Sequence, residues 1–347
     1  MAGPAPVINL PFVTSETHVA DLNNDSNPDI VTGNGRILMG EGTGNFTLRP
    51  TSIALMNGPA AVGDLDFDGD IDIVVGNRNF PPQTLRVYLN DGAANFTQAG
   101  GTYTINGDNS LTVIEVGDLT GDGLPDIAAR GTFGPSGIVP YILPGLGGGM
   151  FGAPNPVFTS GFFGRDFTVA DVNADVFPDF VSTGNNGTYI YLNNGSGTFT
   201  ATQVNGFGQA YAVAVGDLNG DDFRDIALAT GEFTGAGVLL NNGNGTFAPI
   251  VMYDARLNSD PFFVGNVAMG ELTGDGRLDL ITANSSNVSV LNNNRLGEFR
   301  IALRAPFSVF NNSTLHVSTG DVDRNGWRDV IVSNGVSITV LLNHSPF

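Results

Sequence analysis

Seven segments of the chain share one pattern, in which side chains with oxygen atoms recur at the same positions. Each has an acid at position 1, Asp, Asn or Thr at position 3, Asp or Asn at position 5, and Asp at position 9. Carboxylate, amide and hydroxyl oxygens suit hard divalent cations, and calcium takes about six to eight of them. With a backbone carbonyl at position 7, one such loop can surround an ion. The spacing therefore predicts several calcium sites, up to seven, whereas magnesium fits less well because it needs a tighter octahedron.

The seven loops differ in the quality of their predicted ligands. Loop 2 is the richest in carboxylates, and loop 7, like loop 2, carries Gly at position 6, where the chain must turn sharply. Loop 4 ranks lowest, because Val176 at its position 6 is β-branched and disfavours a left-handed turn. The predicted ligands at positions 1, 3, 5, 7 and 9 are, loop by loop, Asp21, Asn23, Asp25, Asn27 and Asp29; Asp64, Asp66, Asp68, Asp70 and Asp72; Asp118, Thr120, Asp122, Leu124 and Asp126; Asp171, Asn173, Asp175, Phe177 and Asp179; Asp217, Asn219, Asp221, Phe223 and Asp225; Glu271, Thr273, Asp275, Arg277 and Asp279; Asp321, Asp323, Asn325, Trp327 and Asp329.

The net charge of −20 arises mainly from acids at these loop positions. The chain has 34 acids and 14 bases, and 22 of the acids occupy positions 1, 3, 5 and 9 of the loops. A merely solvated acidic surface would not keep its charges in this register, so metal ligation is favoured. Turns held only by Asx hydrogen bonds stay open as the alternative. The acidity argues against a nucleic-acid partner, since phosphate binding needs basic surface, and the lack of cysteine excludes thiolate chemistry.

Short strands must position these loops. Each loop follows an apolar run such as 212–216 and precedes a second one such as 225–229, and a third run ends in an Asn-Gly-type hairpin turn. The loops start on average 50 residues apart, the length of a four-stranded blade. We predict an all-β, seven-bladed β-propeller in a single domain over residues 1–347. One phenylalanine is predicted to open the fourth strand of each of the first six blades: Phe46, Phe96, Phe151, Phe199, Phe247 and Phe299.

The last blade is one strand short in the chain order. The seventh repeat ends before a fourth strand, whereas residues 6–12 form a spare apolar segment ahead of the first loop. We predict that this N-terminal segment supplies the outer strand of the last blade. The pairing would remove two free sheet edges and close the ring.

Two segments show a family pattern: 118–127, Asp-Leu-Thr-Gly-Asp-Gly-Leu-Pro-Asp-Ile, and 241–247, Asn-Asn-Gly-Asn-Gly-Thr-Phe. They resemble the FG-GAP/VCBS repeats of integrin α propellers, bacterial surface proteins and some fungal lectins. The resemblance implies calcium loops, an extracellular or cell-surface location, and ligand binding on the face opposite those loops. Lectins of this fold that bind N-acetylglucosamine repeat a Gly-Trp-Arg-type signature. The single tryptophan of this chain, Trp327, lies inside a metal loop, so that sugar site is not carried over.

Two sets of residues are candidate ligand-binding groups. Aromatic rings in the variable loops, flanked by Asn, Asp and Gly, suit sugars, because rings stack on apolar sugar faces and amides bond hydroxyls. For each ring, packing between blades is the alternative. The second set lies near the start of the first strands, where polar groups would form a cluster at the mouth of a central channel or simply line it. The candidates are Phe80, Phe133, Phe163, Tyr211, Phe233 and Phe263 in the first set, and Arg165, Asp166, His18 and His316 in the second.

These features predict a calcium-stabilised binding module that is lectin-like, with glycans as the favoured partners. No nucleophile elbow, phosphate loop or dinucleotide motif occurs in a fitting context, so an enzyme is not expected. The alternatives are an integrin-like protein-adhesion module and a polysaccharide lyase or hydrolase at the channel mouth. No apolar run reaches the ~20 residues that cross a bilayer, and the N-terminus lacks a signal-peptide pattern.

Overall fold

The structure, a computed structural model, is built from β-strands and turns throughout the part of the chain that it describes. That part comprises residues 7–9, 16–50, 53, 56, 58–77, 82–105, 109–133, 137–157, 164–184, 187–204, 208–230, 235–255, 264–284, 287–294, 297–306, 316–335 and 337–344. Within these residues there are seven four-stranded antiparallel sheets and one two-stranded hairpin. The sheets are the blades of a β-propeller, as predicted. None of the described residues belongs to a helix with the length and hydropathy needed to cross a membrane.

Val13–Phe163 and Asn193–Phe199 form one compact unit. It contains blades 1 to 3, each blade taking the number of the loop that it carries. Within a blade the chain runs up and down through neighbouring strands, since short turns join antiparallel neighbours. The strands are β2 (Thr17–Ala20), β3 (Asp29–Thr32), β4 (Ile37–Gly40) and β5 (Phe46–Arg49) in blade 1; β6 (Ala60–Gly63), β7 (Asp72–Gly76), β8 (Gln83–Asn90) and β9 (Phe96–Ile105) in blade 2; β10 (Asn109–Gly117), β11 (Asp126–Phe133), β12 (Gly137–Leu143) and β15 (Asn155–Pro156) in blade 3, with the hairpin β13 (Gly145–Gly147) and β14 (Met150–Phe151).

Met1–Phe12, Gly164–Leu192 and Thr200–Phe347 form the other compact unit. It contains blades 4 to 7, apart from the turn 193–199 of blade 4. The single domain expected over residues 1–347 stays a prediction. The strands are β16 (Phe167–Ala170), β17 (Asp179–Gly184), β18 (Gly187–Asn193) and β19 (Phe199–Val204) in blade 4; β20 (Ala210–Gly216), β21 (Asp225–Thr230), β22 (Gly235–Leu239) and β23 (Val251–Asp254) in blade 5; β24 (Val264–Gly270), β25 (Asp279–Asn284), β26 (Asn287–Asn293) and β27 (Phe299–Pro306) in blade 6; β28 (His316–Gly320), β29 (Asp329–Ser333), β30 (Ser337–Leu341) and β1 (Val7–Asn9) in blade 7.

The core lies between adjacent blades, as the middle strands show. In β7, Ile73 and Val75 pack in a cluster with Val31 of blade 1, whereas Val74 packs in a cluster with Ile127 of blade 3. Successive side chains of a strand point to opposite faces, so one strand serves two cores. This double burial explains why the second strands are apolar at nearly every position.

The N-terminal strand completes the last blade, which confirms the predicted pairing for the described part of that segment, Val7–Asn9. Strand β1 pairs antiparallel with β30, with Val7 opposite Thr339 and Asn9 opposite Ser337. The outer edge of β30 is thereby covered.

Two of the six predicted phenylalanines do not open a fourth strand. Phe151 lies in the small hairpin strand β14, and Phe247 makes only an isolated bridge with Asn241. The outer strands of these blades, β15 and β23, begin later. Pro154 follows Phe151, and Pro249 follows Phe247, within three residues. A proline has no N–H to continue the hydrogen-bond ladder of the sheet.

Candidate metal loops and ligand edge

All seven loops share one backbone path. Position 1 directly follows the first strand of its blade, and position 9 is the first residue of the second strand. Positions 4 and 6 have positive φ in every loop, so two left-handed residues fold the chain back on itself. They are Asn24 and Ser26, Phe67 and Gly69, Gly121 and Gly123, Ala174 and Val176, Gly220 and Asp222, Gly274 and Gly276, and Arg324 and Gly326.

Val176 adopts the left-handed turn that its β-branched side chain was expected to disfavour. Its φ is 76° and its side chain is 80% exposed. The carboxylate of Asp171 accounts for this, because it accepts the N–H of Val176 at 2.8 Å and that of Ala174 at 2.8 Å. Hydrogen bonds outweigh the steric cost at this position, so loop 4 has the same path as the others.

The acid at position 1 organises each loop. In loop 1, Asp21 accepts the backbone N–H groups of Asn23, Asp25 and Ser26 at 2.7–3.3 Å. Asx hydrogen bonds of this kind hold a turn without any ion. The loops are thus preformed, and a cation would bind to oxygens that are already gathered.

The aspartate at position 9 is fully buried in all seven loops. In loop 2, one oxygen of Asp72 accepts the N–H of Leu65 and the other that of Asn90, both at 2.8 Å. Desolvation, together with the charges of the nearby Asp66 and Asp68, raises the pKa of Asp72 to about 7 even though the two backbone N–H groups lower it. Burial likewise raises the pKa of three counterparts to about 6: Asp225, Asp279 and Asp329. A cation beside these carboxylates would favour their charged form.

Two loops gather three carboxylates closely enough to hold one metal ion. In loop 2 the groups are Asp64, Asp66 and Asp72; in loop 7 they are Asp321, Asp323 and Asp329. The ligand oxygens of each group lie within 4.8 Å of one another. No third group of this kind occurs in the described residues, and loop 2 is the loop that the sequence marked as richest in carboxylates.

Two further loops place an unpaired oxygen at position 3. Asn23 Oδ1 in loop 1 and Thr273 Oγ1 in loop 6 are buried and have no hydrogen-bond partner in the described part of the chain. A buried polar atom without a partner costs free energy, which a bound cation would recover. In loops 1, 4 and 5 the amide at position 3 donates to the carboxylate at position 5, at 2.9, 2.8 and 2.8 Å. The donor set therefore fits a hard cation, and the carbonyls at position 7 stay predicted ligands.

An asparagine at the end of the third strand ties each of five blades to the metal loop of the preceding blade. Asn241 Nδ2 donates to the carbonyl of Val172, position 2 of loop 4, and to that of Arg224 in its own blade, both at 2.8 Å. Sequence reasoning took these asparagines only for turn residues. The asparagines and the carbonyls that they contact in the preceding loop are Asn90 and Leu22, Asn193 and Leu119, Asn241 and Val172, Asn293 and Leu218, and Asn343 and Leu272.

Three residues meet at the strand ends opposite the metal loops of blades 4 and 5. The guanidinium carbon of Arg165 lies 4.3 Å from the ring centroid of Tyr211, and the Tyr211 hydroxyl donates to Gln209 at 2.8 Å. Arg165 is exposed and Tyr211 is half-buried. We call this group the ligand edge. It brings together two of the candidates, a cation and a ring.

Asp166, the third candidate in this region, has a structural contact instead. Its carboxylate accepts the N–H of Val213, on the first strand of the next blade, at 3.0 Å. Asn266 does the same for Val317 at 3.1 Å. Position −5 relative to the loop acid therefore joins neighbouring first strands.

The two candidate histidines lie on first strands of different compact units, so their predicted cluster stays a prediction. His18 is in β2, where its ring bonds the backbone of Ala60 and its Nε2 is buried without a partner among the described residues. Burial lowers the pKa of His18 to about 4. His316 opens β28 and is partly exposed.

Most of the aromatic residues predicted to bind a ligand lie outside the described residues. Phe133 is described only as the last residue of β11. The remaining four stay predictions: Phe80, Phe163, Phe233 and Phe263.

The FG-GAP-like repeat is the family pattern that matches this chain. It matches four times, over residues 21–75, 64–129, 171–228 and 271–332, which together span more than half of the sequence. Each match covers at least one of the metal loops. No curated protein matches the sequence.

Two solved structures share the fold over nearly the whole chain. One is described as an Agrocybe aegerita lectin with specific recognition of non-reducing terminal N-acetylglucosamine; it is 21% identical, with 95% of both chains covered and a TM-score of 0.64. The other is BBS1N in complex with ARL6DN, at 13% identity, with 98% of this chain and 96% of that chain covered and a TM-score of 0.65. At these identities the likeness shows the fold.

Proposed function

Because the chain belongs to the FG-GAP-like repeat family, we propose that it is a binding module, stabilised by calcium, whose ligand is a glycan. The observation that carries the proposal is the ligand edge, where an exposed guanidinium, a tyrosine ring and a carboxamide converge. The lectin from Agrocybe aegerita, which recognises a terminal sugar on the same fold, supports a glycan as the ligand class.

Loops 2 and 7 are the proposed calcium sites of highest affinity. Asp64, Asp66 and Asp72 would hold one ion, and the corresponding three aspartates of loop 7 another. The bound ion would neutralise carboxylates that otherwise repel one another. The other loops have Asn or Thr instead of a carboxylate at position 3, and we expect weaker binding there. The FG-GAP-like repeats of the chain support an extracellular or cell-surface setting, which we propose on that ground.

The ligand edge has the groups that a sugar needs. A tyrosine ring offers an apolar face for the C–H groups of a pyranose, and the side chains of Gln209 and Arg165 offer hydrogen bonds to hydroxyls. The stack with Arg165 and the bond to Gln209 fix the ring of Tyr211, so little side-chain entropy is lost on binding.

The contacts of the polar candidates support binding over catalysis. Asp166 accepts a backbone N–H, and burial keeps the ring of His18 neutral. Neither group is placed to exchange a proton with a substrate while it holds these positions. We therefore propose a binder, and not a polysaccharide lyase or hydrolase.

A glycan array with Tyr211→Ala, Tyr211→Phe and the wild-type protein tests this function. We expect the wild type to bind a defined family of neutral glycans in calcium. Tyr211→Ala should lose most of this binding, whereas Tyr211→Phe, which keeps the ring, should retain a large part of it.

Arg86→Gln is the matched control for Arg165→Gln. Arg86 lies in blade 2, in the other compact unit, where its Nε donates to Thr102 at 3.3 Å. Binding that Tyr211→Ala and Arg165→Gln leave intact would contradict the proposed site. Binding of no glycan, together with capture of a purified protein ligand, would favour adhesion instead.

A further inference from the structure

The outer hairpin of blade 6 contains an open groove of about 390 Å³. Asn292, Asn294, Arg300 and Ile301 line it. Its volume falls in the range of about 300–1,000 Å³ that is typical of small-molecule sites. All four residues belong to or adjoin β26 and β27, and none of them is a predicted metal ligand or part of the ligand edge.

The pairing of β26 with β27 gathers the polar side chains of the groove. Asn292 is directly opposite Arg300, so both side chains project from the same face of the sheet. Asn294 lies two residues further along and extends the ladder through its N–H to the carbonyl of Glu298 at 2.9 Å. A side chain two positions away projects from that same face.

Ile301 contributes to the groove from the other side of the sheet. It follows Arg300 in β27 and is opposite Leu291, so its side chain projects from the opposite face to that of Asn292 and Arg300. There it is partly buried and packs against the core between blades 5 and 6. The side-chain groups that the groove offers to a ligand are therefore the polar ones.

The polar groups of the groove are ready to bind a ligand. Among the described residues no carboxylate pairs with Arg300, which is exposed, and the side chain of Asn292 makes no hydrogen bond. Asn294 Nδ2 donates to Glu298 at 2.9 Å, which orients the amide. An unpaired arginine is unexpected in a chain with 34 acids and 14 bases.

We propose that this groove binds a sugar residue that carries a carboxylate, a uronic acid, an inference that rests on the proposed glycan-binding function. The guanidinium of Arg300 would hold the carboxylate through two parallel hydrogen bonds. The amides of Asn292 and Asn294 would bond ring hydroxyls. A bare phosphate fits less well, because it leaves both amide oxygens unused.

Glu298 allows a second test of the proposal by mutation. Its carboxylate is at the border of the groove, where it would repel an acidic sugar while it orients Asn294. Glu298→Gln keeps an acceptor for that amide and removes the charge. The change should tighten binding of an acidic sugar and leave binding of a neutral one unchanged.

Titration with methyl glucuronide and methyl glucoside, followed by saturation-transfer NMR, tests the proposal on the full chain. We expect the glucuronide to bind more tightly than the glucoside, and Arg300→Gln to weaken it about tenfold or more. Asn292→Ala should weaken both sugars. Arg86→Gln, which removes the same charge in blade 2, should change neither, and all variants should melt like the wild type.

Each outcome separates this site from the ligand edge. The groove proposal would be overturned if the two sugars bind with equal affinity, or if Arg300→Gln leaves the preference for the glucuronide unchanged. Equally strong competition by inorganic phosphate would overturn it as well. If Tyr211→Ala abolishes glucuronide binding and Arg300→Gln does not, the groove is excluded and the proposed function stands. Glucuronide binding that depends on Arg300, without any binding at Tyr211, would support the groove and contradict the ligand edge.

Discussion

Individual acceptor side chains hold the metal loops in conformations that backbone preference would not produce. Eight non-glycine residues have positive φ in the described part of the chain, and seven of them lie at positions 4 and 6 of the loops. The acid at position 1 stabilises these turns because it accepts several N–H groups at once. The strain that remains is local, so single substitutions should reveal it.

Val176→Gly should stabilise the protein by about 1 kcal/mol. The left-handed conformation costs an L-residue about 1–2 kcal/mol, and glycine loses part of this gain through its greater freedom in the unfolded chain. The side chain is 80% exposed, so little packing is lost. Urea unfolding would measure the change. Val176→Ala, which keeps a Cβ, should gain much less; an equal gain would show that the backbone strain is not the cause.

His18 should make the protein less stable in mild acid. Its pKa is about 4 in the folded state and about 6.5 when unfolded. Between these values the unfolded chain binds a proton that the folded chain does not, so stability falls as pH falls, by up to about 1.4 kcal/mol per pH unit.

The measurement is the free energy of unfolding at pH 7 and pH 4.5, compared between the wild type and His18→Gln. The wild type should lose more stability on acidification than the variant. The buried aspartates have the opposite effect, because their raised pKa values stabilise the folded state as the pH falls. Both proteins contain these aspartates, so their effect cancels in the comparison. An identical pH dependence in both would contradict burial of a neutral His18.

Contacts between elements explain which parts of the fold could be predicted. The repeat of loop, apolar strand and hairpin turn is local in sequence, and it predicted the blades and the place of each loop. The bond from Asn241 to Val172 joins residues 69 positions apart, and no local pattern distinguishes it from an ordinary turn. The late start of β23 follows from Pro249, which lies two residues before the strand begins and is a local signal in the sequence.

Asn241→Ala should destabilise the protein by about 2–3 kcal/mol. Asn241 is 5% exposed, and its loss would leave the buried carbonyl of Val172 and the half-buried carbonyl of Arg224 without this donor. Urea unfolding again gives the value. The neighbour Asn242 is exposed and its amide bonds Thr246 at 2.9 Å, so Asn242→Ala should cost under about 0.5 kcal/mol. Equal effects would exclude a special role for the contact between blades.

At the scale of the whole molecule, charge is the property that the loops control. Filling seven loops with divalent ions would move the net charge from −20 most of the way toward zero. The acids repel one another at close range when no cation is bound. Stability should therefore depend on calcium more than on ionic strength.

Chelation with EDTA should lower the melting temperature, and calcium should restore it. A ligand that binds only the folded state adds about 2.7 kcal/mol at a hundredfold excess over Kd. Asp66→Asn and Asp323→Asn, in loops 2 and 7, should each reduce the calcium-induced shift. Magnesium at the same concentration is the control and should shift the melting temperature less. A melting curve that calcium and EDTA leave unchanged would mean that the loops are held by their Asx hydrogen bonds.

The pairing of β1 with β30 imposes an order on folding. Blades 1 to 6 are made of strands that leave the ribosome one after another, so each can close soon after it is synthesised. Blade 7 joins Val7 to Thr339, and its fourth strand must wait for nearly the whole chain. Contacts between residues so far apart in sequence are slow to form, because a long loop has to close first. The first strand of the chain is therefore the last to find its place, and completion of this blade is expected to limit the rate of folding.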